Sequence, residues 1–249
     1  MFNTKSPNIN IYYKPFPVMS LKKFIDEEYY VKLVDAFPEK ELFEFKQNLG
    51  KKYSLSETNN KKNYFAYINK KKIWSDFFKI VKSKKFLQEI IDMLYESNIN
   101  LGLKNSKQIN LESKNFFKNL KNILKKNFFL KSKFEFSMMS GNGGYILPHT
   151  DAPEKIITIV IPILNENEWK KEWGGGTSML EPIDEKNYFN QQNKYLNFDE
   201  VRPLKNLPFE ANNSTLFIKT FNSLHCVYPI QGPDTILRKS LTINIQTLF

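Results

Sequence analysis

Two periodicities divide this chain. In its first part, apolar residues recur three and four positions apart, as on one face of a helix; from Phe134 onward they recur every second position, as on one face of a strand. Residues 8–19 read as an extended arm, with Ile9, Ile11, Tyr13 and Phe16 set among prolines. Asp26 suits an N-cap, followed by Glu27 and Glu28 in a first turn. Tyr30, Leu33, Val34 and Phe37 keep helical spacing until Pro38 stops the helix. A second helix is expected from Glu39 to Leu49, with Gly50 as its C′ residue, and a polar loop from Lys51 to Lys62. Trp74 to Val81 reads as helix. Ser83 can cap another, in which Phe86, Leu87, Ile90, Ile91 and Leu94 form an apolar stripe. These stripes are core-packing faces, expected to lie against the outside of a sheet.

The alternating part begins at Phe134-Phe136-Met138. Strands are expected at Lys155–Leu164, Thr177–Leu180, Ser214–Lys219, Leu224–Ile230 and Lys239–Thr247, with Gly, Pro and Asn turns between them. Helices first and short strands later indicate an α+β jelly roll. The expected organisation is one structural domain. Its residues 1–132 form a helical support packed on the sheet, and 133–249 form the β core. Residues 97–132 are rich in Lys and Asn, with an amphipathic section from Phe116 to Leu124 to which no role is assigned. Ile183 to Glu210 is long and polar and reads as a substrate-facing lid or a surface insertion.

Composition narrows the function classes. The 249 residues are 41% hydrophobic and 15% aromatic, enough for a substantial core. No run approaches the ~20 apolar residues of a membrane span. Met1 to Pro7 has no apolar core of a secretory signal, and Cys226 is the only cysteine; the expected compartment is the reducing cytoplasm. A net charge of +11 suggests nucleic acid, but only two arginines, Arg202 and Arg238, contribute to it. The rest is lysine, abundant alongside Asn, Ile and Phe as AT-rich coding produces, and reads as solvated helix faces.

The chemistry-bearing residues lie in the alternating part. The chain's two histidines are His149 and His225. His149 stands two before Asp151 in Pro148-His149-Thr150-Asp151, and on a strand these two share a face. A second imidazole from another strand completes a 2-His-1-carboxylate set, a donor group suited to Fe(II) with open positions opposite. Thirteen residues past His225 comes Arg238-Lys239-Ser240. A buried guanidinium makes paired hydrogen bonds to a carboxylate, and Ser240 shares its strand face. Thr242 and Asn244 continue that face and are expected to border a cofactor or substrate. Cys226, turned away by alternation, reads as a core thiol.

The wider context matches these residues. Lys133-Phe134-Glu135-Phe136-Ser137-Met138-Met139 leads through Gly143-Gly144-Tyr145 into His149-Thr150-Asp151. An apolar strand then ends at Leu164-Asn165. The turn Trp173-Gly174-Gly175-Gly176 follows, and then Asn213, Phe217 and Ser223-Leu224-His225. In order and spacing this half resembles the Fe(II)- and 2-oxoglutarate-dependent dioxygenases, in their prolyl-hydroxylase-like branch. The first half matches only loosely, at Phe24-Ile25-Asp26-Glu27-Glu28.

The resemblance implies a double-stranded β-helix with Fe(II) on His149, Asp151 and His225. It implies 2-oxoglutarate held at its far carboxylate by Arg238 and Ser240, O2 as oxidant and ascorbate as accessory reductant. The implied reaction hydroxylates an unactivated C–H of a peptide, prolyl or small-molecule substrate and releases succinate and CO2, in a monomer or homodimer. Two departures qualify it. Where many relatives place a co-substrate tyrosine, Ile163 stands here, with Tyr145 as the candidate substitute. No arginine follows Arg238, which argues against a nucleic-acid substrate, and Asp151 argues against a halogenase. The rival reading is a non-catalytic metal- or sugar-binding jelly roll.

Overall fold

Helical stripes and alternating strands meet as helices laid on a sheet. The computed structural model describes residues 1–5, 9–47, 50–103 and 130–247. Its strands are β1 (Ile9–Tyr12), β2 (Val18–Lys22), β3 (Glu44–Lys46), β4 (Lys52–Ser56), β5 (Leu130–Ser140), β6 (Ile146–His149), β7 (Lys155–Pro162), β8 (Thr177–Pro182), β9 (Val201–Leu207), β10 (Asn213–Ile218), β11 (His225–Val227) and β12 (Leu237–Thr247). Its helices are α1 (Glu27–Asp35), α2 (Lys61–Lys70), α3 (Lys72–Val81) and α4 (Lys84–Glu96). One sheet runs β1-β2-β10-β7-β12-β5-β4-β3 and the other β6-β11-β8-β9. This is the α+β double-stranded β-helix, or jelly roll.

Alternation decides which face of the large sheet is which. Phe134, Phe136, Ile157, Ile159, Ile161, Leu241, Ile243 and Ile245 all point one way and are buried against Tyr64, Trp74, Phe77 and Phe86 of the helices. Trp74 meets Phe136 edge-on at 4.6 Å, and Phe77 meets Phe134 at 5.2 Å. Each such side chain contributes on the order of 1.5–3 kcal/mol by burial. The intervening residues point the other way, towards the small sheet. There Phe16, Val18 and Phe217 pack against Met179 and Leu207 across the gap. No helix among the described residues is long and apolar enough to cross a membrane.

The caps behave as their sequences require. Asp26 accepts from the Tyr29 amide and Ser83 from the Phe86 amide. Three expectations need correction. Glu39–Leu49 is not a helix: Lys40–Leu42 makes one 3-10 turn, and Glu44–Lys46 then pairs with β4. Pairing with a neighbouring strand overrides local helix preference here. Lys51–Lys62 is not a loop, since β4 lies within it and α2 begins at Lys61; only Tyr64 and Ile68 of α2 are buried, too few to make a stripe. Ile183–Glu210 contains β9, which pairs with β8, so its loop part ends near residue 200.

The described residues before β5 thus supply β1–β4 as well as α1–α4, and the boundary expected at 132/133 falls inside β5. The arm at 8–19 contains β1 and the start of β2, an antiparallel pair on the sheet's edge. The amphipathic section Phe116–Leu124 lies outside the described residues.

Candidate metal centre and its pocket

The two histidines face each other because β6 and β11 are antiparallel neighbours with His149 and His225 in register. Their ring centroids are 4.4 Å apart. Each Nδ1 lies 2.9 Å from a backbone carbonyl, Leu147 O for His149 and Ser223 O for His225. A carbonyl has no proton to give, so each Nδ1 carries one and donates it. Both Nε2 lone pairs are left free, the orientation a metal-binding histidine adopts.

Asp151 arrives by a different route from the expected one. Strand β6 ends at His149, and Asp151 has φ +52°, in the left-handed region that Asp tolerates. A turn therefore brings the carboxylate to the imidazoles, with Oδ1 3.9 Å from His149 Nε2. One candidate ligand atom from each of His149, Asp151 and His225 lies within 4.8 Å of the others. Oδ2 accepts from Thr158 Oγ1 at 2.7 Å, and Oδ1 accepts from Lys155 Nζ at 2.6 Å.

Electrostatics suit a cation. Burial, with His225 close by, pushes His149 down to about 3, and burial lowers His225 as well. Both rings are therefore neutral ligands at ordinary pH. Burial would raise Asp151, but the Lys155 ammonium holds it well below the usual carboxylate range. Two neutral nitrogens and one ionised carboxylate, oriented by backbone carbonyls and Thr158, fit a divalent first-row metal.

The same burial predicts acid sensitivity. An imidazole in the unfolded chain titrates near 6.5, whereas His149 resists protonation down to about 3. The folded form therefore binds fewer protons across that window. This stability is fully present above 6.5 and is lost as pH falls towards 3. The Tm of the metal-free protein should fall between pH 7 and 5, and less steeply in His149→Gln. A wild-type Tm that stays level across that range would contradict neutral buried rings.

The triad opens onto a cavity of about 450 Å3 between the sheets. Arg238, from β12, lines the same cavity and is 3% exposed. Its Nε donates to Gly175 O at 2.6 Å, its Nη1 to Ser240 Oγ at 3.4 Å, and its guanidinium lies 4.1 Å over the Phe209 ring. Gly175 has φ +80°, and a Cβ there would lie 2.8 Å from the Trp169 ring and 3.4 Å from Arg238 Cδ; only glycine fits. No carboxylate among the described residues pairs with Arg238, and burial alone pushes it down to about 9. A buried guanidinium beside an open cavity, with no carboxylate partner among the described residues, is suited to receive an anion.

The remaining expected residues divide. Ser240, Thr242 and Tyr145 line the cavity. Asn244 does not; it stands behind Thr158, 3.2 Å from the hydroxyl that holds Asp151. Ile163 is buried in the helix-side core, and the residues of β7 that line the cavity are Lys155, Thr158 and Val160. Cys226 packs with Leu180, Leu196, Val201 and Leu224, and burial pushes its thiol up to about 12.

Sequence reading missed Lys52, Lys155, Thr158, Asn193 and Tyr195, all of which line the cavity. Lys52 sits on the unrecognised β4, where it pairs with Glu135 at 2.5 Å. The β3–β4 turn at Gly50 closes that wall; a Cβ on Gly50 would stand 1.8 Å from Tyr145 O. Tyr195 comes from the 183–200 loop and stacks on His149 at 5.3 Å and 15°.

No protein-family model matches the sequence. No curated protein matches it either. Solved structures do match. The non-heme alpha-ketoglutarate-dependent epimerase SnoN of nogalamycin biosynthesis is 11% identical at TM-score 0.51, over 92% of this chain and 78% of that one. The alpha-ketoglutarate-dependent carbocyclase SnoK of the same biosynthesis is 8% identical at TM-score 0.51, over 92% and 79%. A Pseudomonas putida prolyl-4-hydroxylase is 13% identical at TM-score 0.47, over 92% and 91%. At these identities what is shared with SnoN and SnoK is the jelly-roll fold.

Proposed function

We propose that this chain is an Fe(II)- and 2-oxoglutarate-dependent dioxygenase of the prolyl-hydroxylase-like kind. The observation that carries the reading is a single cavity lined both by a 2-His-1-carboxylate set and by a buried arginine with no carboxylate partner among the described residues. The two ask for different ligands, a divalent metal and a carboxylate, and 2-oxoglutarate is a molecule that can meet both. Solved structures sharing the fold include two described as alpha-ketoglutarate-dependent.

Within this reading His149, Asp151 and His225 hold the metal, and Arg238 with Ser240 holds the far carboxylate of the co-substrate. Iron(II) bound there would supply O2 activation, with 2-oxoglutarate giving two electrons and leaving as succinate and CO2. The protein supplies position and exclusion of water. Arg238 fixes the co-substrate's direction through a planar fork that Phe209 and Gly175 O keep from turning. Thr158, backed by Asn244, fixes Asp151. Tyr145 and Thr242 shape the co-substrate's walls, and Asn193 and Tyr195 cover the metal end as part of a lid. The substrate is a peptide or a small molecule with an unactivated C–H, placed beneath that lid.

The test is release of succinate from 2-oxoglutarate by iron-loaded protein with ascorbate, which should proceed slowly without substrate and accelerate with the right one. If iron-loaded protein neither binds 2-oxoglutarate by calorimetry nor forms succinate, the chain is a non-catalytic metal- or sugar-binding jelly roll instead.

A further inference from the structure

Lys155 opens β7, four residues after Asp151. Its Nζ lies 2.6 Å from Asp151 Oδ1. That is the oxygen 3.9 Å from His149 Nε2; the other, Oδ2, is already held by Thr158 at 2.7 Å. The ammonium therefore caps the one carboxylate oxygen turned towards the imidazoles. The Lys155 side chain is 26% exposed and that of Asp151 6%, so the lysine has a path to water and the carboxylate does not.

The cavity lining offers Lys155 no second carboxylate. Asp151 is the only carboxylate among the described residues that line the cavity. Glu135, nearby, is held by Lys52 at 2.5 Å. Two cations cannot share one carboxylate oxygen at contact distance without strong repulsion.

We infer that Lys155 is the resident counter-ion of Asp151, and that a divalent metal binds by displacing it. The inference rests on the proposed metal site. Ammonium and metal compete for Asp151 Oδ1. Before metal arrives, the lysine keeps that oxygen paired beside His149. On metal uptake, its side chain turns out into the cavity and the solvent beyond it.

Two measurements with Co(II) test this. In calorimetric titration, Lys155→Met should bind Co(II) roughly tenfold more tightly than wild type, the scale of one ion pair no longer broken. In the wild-type chain, the rate of reductive methylation at Lys155, read by peptide mass spectrometry, should rise severalfold when Co(II) is added. Lys52, which keeps Glu135, serves as the internal reference and should not change. Tighter binding with an unchanged Lys155 rate would mean plain repulsion at a distance and overturn displacement. Equal or weaker Co(II) binding by Lys155→Met, with wild type binding normally, would overturn the competition. No Co(II) binding by either protein would bring down the metal site itself, whereas binding by the variant alone would support a site held closed by its lysine.

Discussion

His225→Ala should weaken metal uptake by far more than ~100-fold, beyond the 10–100-fold loss typical of groups that merely support a ligand. In the proposed site three side chains serve as ligands, and His225 supplies one of two neutral nitrogens. Its Nε2 is left free by the Nδ1 bond to Ser223 O, and among the described residues no further His, Cys, Asp or Glu joins the cluster to replace it. Removing the ring also removes the face against which His149 sits at 4.4 Å and Phe217 at 4.3 Å, leaving a void. His225→Gln, which retains bulk, separates the two effects: metal loss without loss of Tm marks a ligand. The measurement is Fe(II) or Co(II) titration of wild type, both single alanine variants and the His149→Ala/His225→Ala double variant. Full occupancy in the double variant would remove the triad from consideration.

Arg238→Ala should cost about 2–5 kcal/mol of 2-oxoglutarate binding, roughly 30- to several-thousand-fold, while leaving metal affinity near wild type. The arginine sits on β12 in the large sheet, whereas the imidazoles come from the small one. Arg238→Lys should recover only part of the loss, because a point charge cannot reproduce the fork. Stability offers a second readout. A buried guanidinium with no carboxylate partner is a liability to the fold, so Arg238→Met should hold or raise the Tm even as co-substrate binding collapses. If Arg238→Ala leaves the 2-oxoglutarate titration unchanged in a folded protein, the anion has been assigned to the wrong part of the cavity.

What could be read beforehand followed from how local each signal was. The helix stripes, the caps at Asp26 and Ser83 and the alternation of β5, β7 and β12 are written in neighbouring residues, and the structure has them where expected. The hairpin β3–β4 was not legible, because Glu44–Lys46 becomes a strand only by pairing with residues 52–54, which in turn pair with β5. Lys52 was lost with it.

At the metal end, His149, Asp151 and His225 were legible as a set, but their convergence was assigned to strand alternation. Asp151 reaches the imidazoles through a left-handed turn, a detail that residue spacing does not encode. Lys155 and Thr158 lie four and seven residues past Asp151, near enough in sequence to notice. What marks them is contact with its two oxygens, which only coordinates provide. Asn244 shows the converse: alternation placed it on the right face, yet distance along the strand puts it behind Thr158 and away from the cavity.

The division of the cavity between two sheets has a mechanical consequence. The imidazoles ride on β6 and β11, and the guanidinium rides on β12 in the opposite layer, so a molecule gripped at both ends is a strut between layers. Any flexing that changes the gap stretches or compresses that strut. The gap itself is spanned by Phe16, Val18 and Phe217 meeting Met179 and Leu207, a cluster that adjoins the cavity through Phe217. Those five side chains act as the spacer of a gauge block: shaving down Phe16, Val18, Met179 or Leu207, none of which lines the cavity, alters the span offered to a ligand that they never touch.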